Sequence, residues 1–185
     1  MKALLAILGG LAVLTPGLAA ERTLAVDKAH SRVEVAVKAT VDSFVATLSD
    51  FNAAVAVDPE AGRITSAVFS FRFADVLTGK KDRDHEMLVW EDAEHFPDGR
   101  FELTALDPAP AGGYVARGRL RLHGIDQRLE FPVTVTSDGL RYSIDGSVKL
   151  DTRDFGLEVI RKLLVLKVDP QVQVRFHLQG SLANL

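Results

Sequence analysis

A period of two limits what this chain can fold into. Val33, Val35 and Val37 alternate with Arg32, Glu34 and Lys38, and Phe69, Phe71 and Phe73 with Ser70 and Arg72. Leu120 and Leu122 alternate with Arg119 and Arg121, and Phe131, Val133 and Val135 with Thr134 and Thr136. Leu140, Tyr142, Ile144, Val148 and Leu150 are set against Arg141, Ser143, Asp145, Ser147 and Lys149. Val172, Val174, Phe176 and Leu178 are set against Gln171, Gln173, Arg175 and His177. Successive side chains of a strand point to opposite faces, so each segment has one dry and one wet face.

Further strands are predicted at Phe44–Val57, with a bulge near Ser49-Asp50 where the apolar parity slips, and at Arg100–Leu106, Tyr114–Arg117 and Leu163–Val168. Turn residues separate the strands: Asp58-Pro59-Glu60-Ala61-Gly62, Asp107-Pro108, Ala111-Gly112-Gly113, His123-Gly124, Asp138-Gly139 and Asp169-Pro170. Most connections are too short for crossover helices, so the pairing is antiparallel. A sheet with one apolar face must cover it. Eight or so strands do so by closing into a barrel, and a two-sheet sandwich is the other solution the pattern allows. One segment, Lys81–Glu94, breaks the period and reads as a short helix. Met87 and Trp90 lie three apart there and share a face that can pack over the barrel, as a movable cover or a permanent plug.

The start of the chain bears on location. Met1-Lys2 is a short positive start, Ala3 to Leu14 is apolar apart from Gly9 and Gly10, and Thr15-Pro16-Gly17 breaks any helix. Leu18-Ala19-Ala20 then offers small residues for cleavage. The pattern predicts a secretory signal peptide over residues 1–20, removed after Ala19 or Ala20, with a retained anchor as the alternative. Residues 21–185 then form one domain in the periplasm, held together without disulfides because the chain has no cysteine. A formal net charge of -3 and the lack of any lysine or arginine run argue against nucleic acid as a partner.

Catalytic and metal motifs are sparse. Asp27, His30 and Ser31 are the residue types of a triad, but their spacing at a strand entrance suits a turn or cap. The histidines at 30, 85, 95, 123 and 177 form no i, i+4 pair. His85-Glu86 beside Asp82 and Asp84 reads as solvated helix polarity rather than a cation site. No catalytic residue, cofactor or metal is assigned.

Several segments together carry a resemblance. They are Val26-Asp27-Lys28-Ala29-His30-Ser31, Thr78-Gly79 with Arg83-Asp84 and Met87, Phe96-Pro97 before Phe101, Leu120-Arg121-Leu122-His123-Gly124-Ile125, and Arg153-Asp154-Phe155-Gly156. In this order and strand context the chain resembles the YceI-like family, exported lipocalin-like barrels that bind polyisoprenoids. It departs from the family at Lys38-Ala39-Thr40, Ala46 and Ala53, where members often carry a histidine or glycines. The resemblance implies an antiparallel eight-stranded barrel holding a quinone tail, polyprenyl lipid or other long-chain apolar lipid, with no enzymatic activity. Transient contact with a membrane or membrane protein is allowed.

The candidate ligand contacts are Val35, Val37, Phe69, Phe71, Phe73, Met87, Trp90, Phe101, Leu120, Leu122, Phe131, Tyr142, Phe155, Val174 and Phe176. For each, plain core packing is an equal alternative, because a barrel of this size can be filled by its own side chains. Arg83, Asp84, Arg153 and Asp154 are the candidates for a polar mouth, with loop-fixing ion pairs as the alternative. Burying four isoprene units offers roughly 12–16 kcal/mol gross at ~0.8 per CH₂, enough for micromolar binding after ordering costs. The rival functions are an accessory subunit of a membrane redox or stress-response complex and, last, an enzyme acting on a lipid.

Overall fold

The computed structural model describes residues 21–162 and 166–182. The expected signal peptide, residues 1–20, lies outside them, as do residues 163–165 of the expected strand Leu163–Val168. Along the chain come β1 (Arg22–Val26), β2 (Arg32–Ala39), β3 (Phe44–Leu48), β4 (Asn52–Asp58), β5 (Arg63–Arg72) and β6 (Val76–Leu77). A helix, α1 (Lys81–Trp90), follows. Then come β7 (Asp98–Pro108), β8 (Tyr114–Leu122), β9 (Ile125–Ser137), β10 (Arg141–Asp151), β11 (Arg161–Lys162) and β12 (Leu166–Leu182).

All pairings are antiparallel, and they close. Six strands, β5, β7, β8, β9, β10 and β12, form a continuous wall. The gap between β12 and β5 is filled differently at the two ends. At one end β1 bridges β12 to β4, and β4 pairs with β5. At the other, β2 and β3 extend from β12, and β3 meets β6, the continuation of β5. Eight strands surround the axis at either end, so the sheet is a closed eight-stranded barrel rather than a sandwich. Closure leaves no long unpaired edge.

The differences from the sequence reading have local causes. Phe44–Val57 is two strands, not one bulged strand. At Ser49 the chain leaves its β2 neighbour, its N–H bonding the Asp75 carbonyl at 2.8 Å. The Asp50 carboxylate takes the Phe51 N–H at 2.9 Å and turns the chain toward β1 and β5. Asp169-Pro170 is not a turn but an irregularity within β12, where the register against β2 shifts between Val168 and Val172. Proline cannot donate to a ladder, and a bulge accommodates it. Asp107 and Pro108 remain paired with Val115 and Tyr114, so that hairpin turns only beyond them. β1 is too short to announce itself by alternation and was missed. The His123-Gly124 turn is as expected: Leu122 faces Ile125, and both turn residues have positive φ (46° and 73°), the geometry of a two-residue hairpin loop.

The packed end of the barrel holds Leu24, Val55, Val57, Ile64, Tyr142, Ile144 and Leu182 in one buried cluster. α1, the loop between β2 and β3 and the segment after β10 lie at the opposite end. No helix among the described residues is long and apolar enough to cross a membrane.

Candidate ligand-binding cavity

The inward positions of the strands enclose a cavity of about 1110 Å³. Its wall takes Val33, Val35 and Val37 from β2, Phe69 and Phe71 from β5, Phe101 and Leu103 from β7 and Leu120 and Leu122 from β8. Phe131 and Val133 from β9, Val148 and Leu150 from β10, and Val174 and Phe176 from β12 complete it, with Phe73 just beyond β5. The alternation read from the sequence therefore points the dry face into a lumen.

Three glycines help to keep that lumen open. Gly99, Gly118 and Gly146 occupy inward positions beside Phe71, Phe101 and Phe176, whose rings cover the space where a Cβ would stand. Gly99 is paired directly with Phe71, and Gly146 with Phe176. A bare backbone lets each ring lie against the wall instead of projecting across the barrel. Phenylalanines that might have filled the interior line it instead.

Two expected contacts lie elsewhere. Tyr142 is buried in the cluster that packs the far end, off the cavity. Phe155 is buried in a cluster with Leu120 and Leu157, against which Trp90 packs, and it does not line the cavity. Both are core residues: for Tyr142, parity gives the face of the strand but not the depth along the axis, while Phe155 ends a short 3-10 turn, Thr152–Phe155, where no alternation applies. Sequence reasoning also missed Val41, Phe44, Val159 and Ile160 at the opening. These belong to loops and a short strand with too few residues to show a period.

The polar lining groups gather at the mouth: Asp42, Thr78, Arg83, His85, Glu86, Glu91, Thr152, Glu158, Arg161 and Asp169. Of the four residues expected there, only Arg83 lines the cavity. Its guanidinium lies 3.7 Å from the centre of the Phe44 ring, donates to Asp42 at 3.3 Å and to the Thr78 carbonyl at 2.8 Å. Asp84 turns back instead, accepting from the Thr78 backbone N–H at 2.7 Å and its hydroxyl at 2.5 Å, and so fixes the start of α1. Arg153 is paired with Asp151 at 2.5 Å, and the Asp154 carbonyl accepts from Gln127 at 2.6 Å. These last two hold the loop after β10 and do not reach the mouth.

α1 borders the opening. Met87, Val89 and Trp90 line the cavity, and Val89 is 69% exposed. The Trp90 indole N–H donates to the Glu158 carbonyl at 2.8 Å, tying the helix to the opposite lip. Next to it, Glu91 is 1% exposed, and neither carboxyl oxygen has a hydrogen-bond partner among the described residues. Burial pushes its pKa up to about 8, with the neighbouring Asp92 charge adding to the effect and the His123 backbone opposing it.

The triad types at the first strand do not assemble a nucleophile. Asp27 bonds His30 Nδ1 at 2.7 Å, while the Ser31 hydroxyl donates to the Asp27 carbonyl at 2.6 Å, as in a cap. Among the described residues no three acidic or histidine side chains are grouped to hold a metal.

The family model for the YceI-like domain matches residues 24–180. The chain belongs to the YceI-like family. A UPF0312 protein of Pseudomonas savastanoi pv. phaseolicola is 25% identical over 171 residues, covering 85% of this chain and 88% of that protein. Among solved structures, Burkholderia cenocepacia BcnA superposes with a TM-score of 0.74 at 26% identity, over 84% of this chain and 99% of BcnA. A polyisoprenoid binding domain from Saccharophagus degradans superposes at 0.63 and 16% identity, over 87% and 98% of the two chains. At that identity the second likeness speaks to the fold alone. The family match takes in all the strands that wall the cavity, and BcnA shares the barrel over most of this chain.

Proposed function

We propose that the protein is exported to the periplasm and there carries or stores an isoprenoid or similar long apolar lipid, of quinone or polyprenyl type, inside the barrel. The observation that carries this reading is the open apolar lumen of about 1110 Å³ with its polar groups confined to one end. At ~30 Å³ per water-sized group, that volume accommodates roughly 35–40 carbon-sized groups, or seven to eight isoprene units. A pocket of this size and lining suits a long hydrocarbon held by burial rather than by charge. The Saccharophagus relative, described as polyisoprenoid binding, supports the same reading, and the leader-like residues 1–20 support export. The role is binding rather than catalysis: the deep lining is hydrocarbon and offers no nucleophile, acid or base.

Native mass spectrometry of protein purified from its own host without detergent tests the proposal. The expected result is an apolar adduct of roughly the mass of such a lipid. Bare protein that co-purifies with a membrane complex would instead favour an accessory subunit.

A further inference from the structure

The two ends of α1 are held differently. Its start is fastened by polar bonds: Asp84 takes the Thr78 N–H and hydroxyl, and Arg83 reaches Asp42. No residue of the helix itself is fully buried. At the far end Trp90 packs on the cluster of Leu120, Phe155 and Leu157 and bonds the Glu158 carbonyl, while Glu91 is covered almost completely. The chain then leaves through Asp92 in the left-handed region (φ 54°), with the Asp92 and Ala93 N–H groups bonding the Val89 and Leu88 carbonyls. Beneath this end the Glu91 carboxyl has no hydrogen-bond partner for either oxygen among the described residues. The titratable groups around it are Asp92 and His95, bonded to each other at 2.8 Å, Glu94, His123 of the β8–β9 turn, which reaches it through the backbone, and Glu158 on the opposite lip. The charge that acts on the carboxyl is that of Asp92, and it opposes ionisation, as does the C-terminal end of a helix. A carboxylate left there is buried and unpaired, and lifting the end of α1 returns it to water.

Resting on the carrier reading, we infer that Glu91 is a proton-operated latch on the mouth: protonated, it keeps the end of α1 down, and on losing its proton it lifts that end and lets the lipid out. Trp90 precedes Glu91 directly, so the same movement breaks its bond to the Glu158 carbonyl. The carboxyl titrates at about 8 when covered, against 4.5 as its ordinary value. Between these values the closed state holds a proton that the open state has lost. The proton's contribution to closure is therefore full below pH 4.5 and is gone above about 8. Across that interval opening becomes easier by up to about tenfold per pH unit, and beyond it the effect levels off.

The chain has no cysteine, so Leu157→Cys places a single thiol in the cluster under Trp90, and Val57→Cys places one in the closed end. Alkylation of each is measured on the ligand-free protein between about pH 5 and 8.5, with and without Glu91→Gln, whose ratio cancels the ionisation of the thiol and of the histidines. The Leu157→Cys ratio should climb with pH by up to about tenfold per unit and flatten above about 8, with Val57→Cys labelled far more slowly throughout. Release of a bound fluorescent apolar probe from the unsubstituted protein should follow the same profile and lose it in Glu91→Gln. Glu91→Met, neutral at every pH, is the second variant and should behave alike. A flat profile in the unsubstituted protein, or one that survives in both variants, overturns the inference. So does equal labelling of the two thiols, which would mean global unfolding rather than a lifted helix end. If no apolar probe binds at all, the carrier reading fails, and the Leu157→Cys thiol still decides whether α1 moves with the proton.

Discussion

Replacing Gly146 with alanine tests why the lumen is open. Gly146 faces inward opposite Phe176, and an added methyl would fall on the Phe176 ring. The position lies outside the left-handed region, so the backbone accepts alanine and the obstacle is the ring itself. The ring must lift from the wall into the cavity. Six ring carbons at ~30 Å³ each occupy about 180 Å³, the space of about one isoprene unit. Against a lumen of about 1110 Å³ this is a sizeable fraction of the binding volume. At about 0.8 kcal/mol per buried CH₂, expelling one five-carbon unit removes up to ~4 kcal/mol. The Kd of a seven- or eight-unit polyprenol should then rise between about tenfold and several hundredfold.

Farnesol, with three units, has room left and should lose little affinity. Probe displacement with both alcohols provides the comparison, with circular dichroism melting alongside, since overpacking costs about 1–3 kcal/mol of stability. Thr136→Ala, on the exposed face, is the control. A folded Gly146→Ala protein whose long- and short-chain affinities change equally, or not at all, would refute the role assigned to the glycine.

Parity gives a second expectation: Val174→Asp or Phe71→Asp should unfold the protein or abolish lipid uptake, while Arg175→Asp and Ser70→Asp should change its melting temperature far less. Equal tolerance on both faces would contradict the one-sided wall. Glu91 sets a pH dependence: its carboxyl titrates at about 8 in the fold against 4.5 as the ordinary value, so its contribution to stability is full below pH 4.5 and is lost as pH rises through 8. Glu91→Gln should therefore raise stability by roughly 3 kcal/mol at pH 7 and by little at pH 4, and melting shifts of the same size at both pH values would argue against a neutral buried carboxyl. Trp90, the only tryptophan, reports on the mouth: its emission should shift when a polyprenol binds, and Trp90→Ala should speed release more than it slows uptake. An unchanged spectrum at saturation with unaltered release would make α1 a fixed plug. N-terminal sequencing of the exported protein should begin at Ala20 or Glu21, and an intact Met1 would overturn the leader assignment.

The strand pattern was legible because a barrel wall with a wet and a dry face writes period two directly into the sequence. Val33–Val37 and Val172–Leu178 illustrate this, and they pair in the barrel as Val35 with Val174 and Val33 with Phe176. Depth along the axis leaves no such trace. Tyr142 and Val148 share a parity six residues apart, yet one packs the closed end and the other lines the lumen. The mouth was also poorly legible, because its residues come from segments brought together only by closure. Arg83 meets Asp42, 41 positions earlier, and Trp90 meets Glu158, 68 positions later.

Whether the barrel is hollow or filled was the question on which function turned, and counting phenylalanines left it open. The relevant signal lay at the positions between the large side chains. Gly118 stands between Ala116 and Leu120, and Gly146 between Ile144 and Val148, each at a parity the strand otherwise gives to apolar side chains. A strand interior has little to gain from glycine, which weakens pairing and contributes no packing. Its presence on the dry face therefore signals that something else needs the space. In this barrel the neighbour is an aromatic ring laid along the wall. A ring held there contributes apolar surface to a guest without occupying the guest's volume. The same ten phenylalanines without those glycines would favour a packed interior. Inward glycines set beside inward phenylalanines thus distinguish a container from a core.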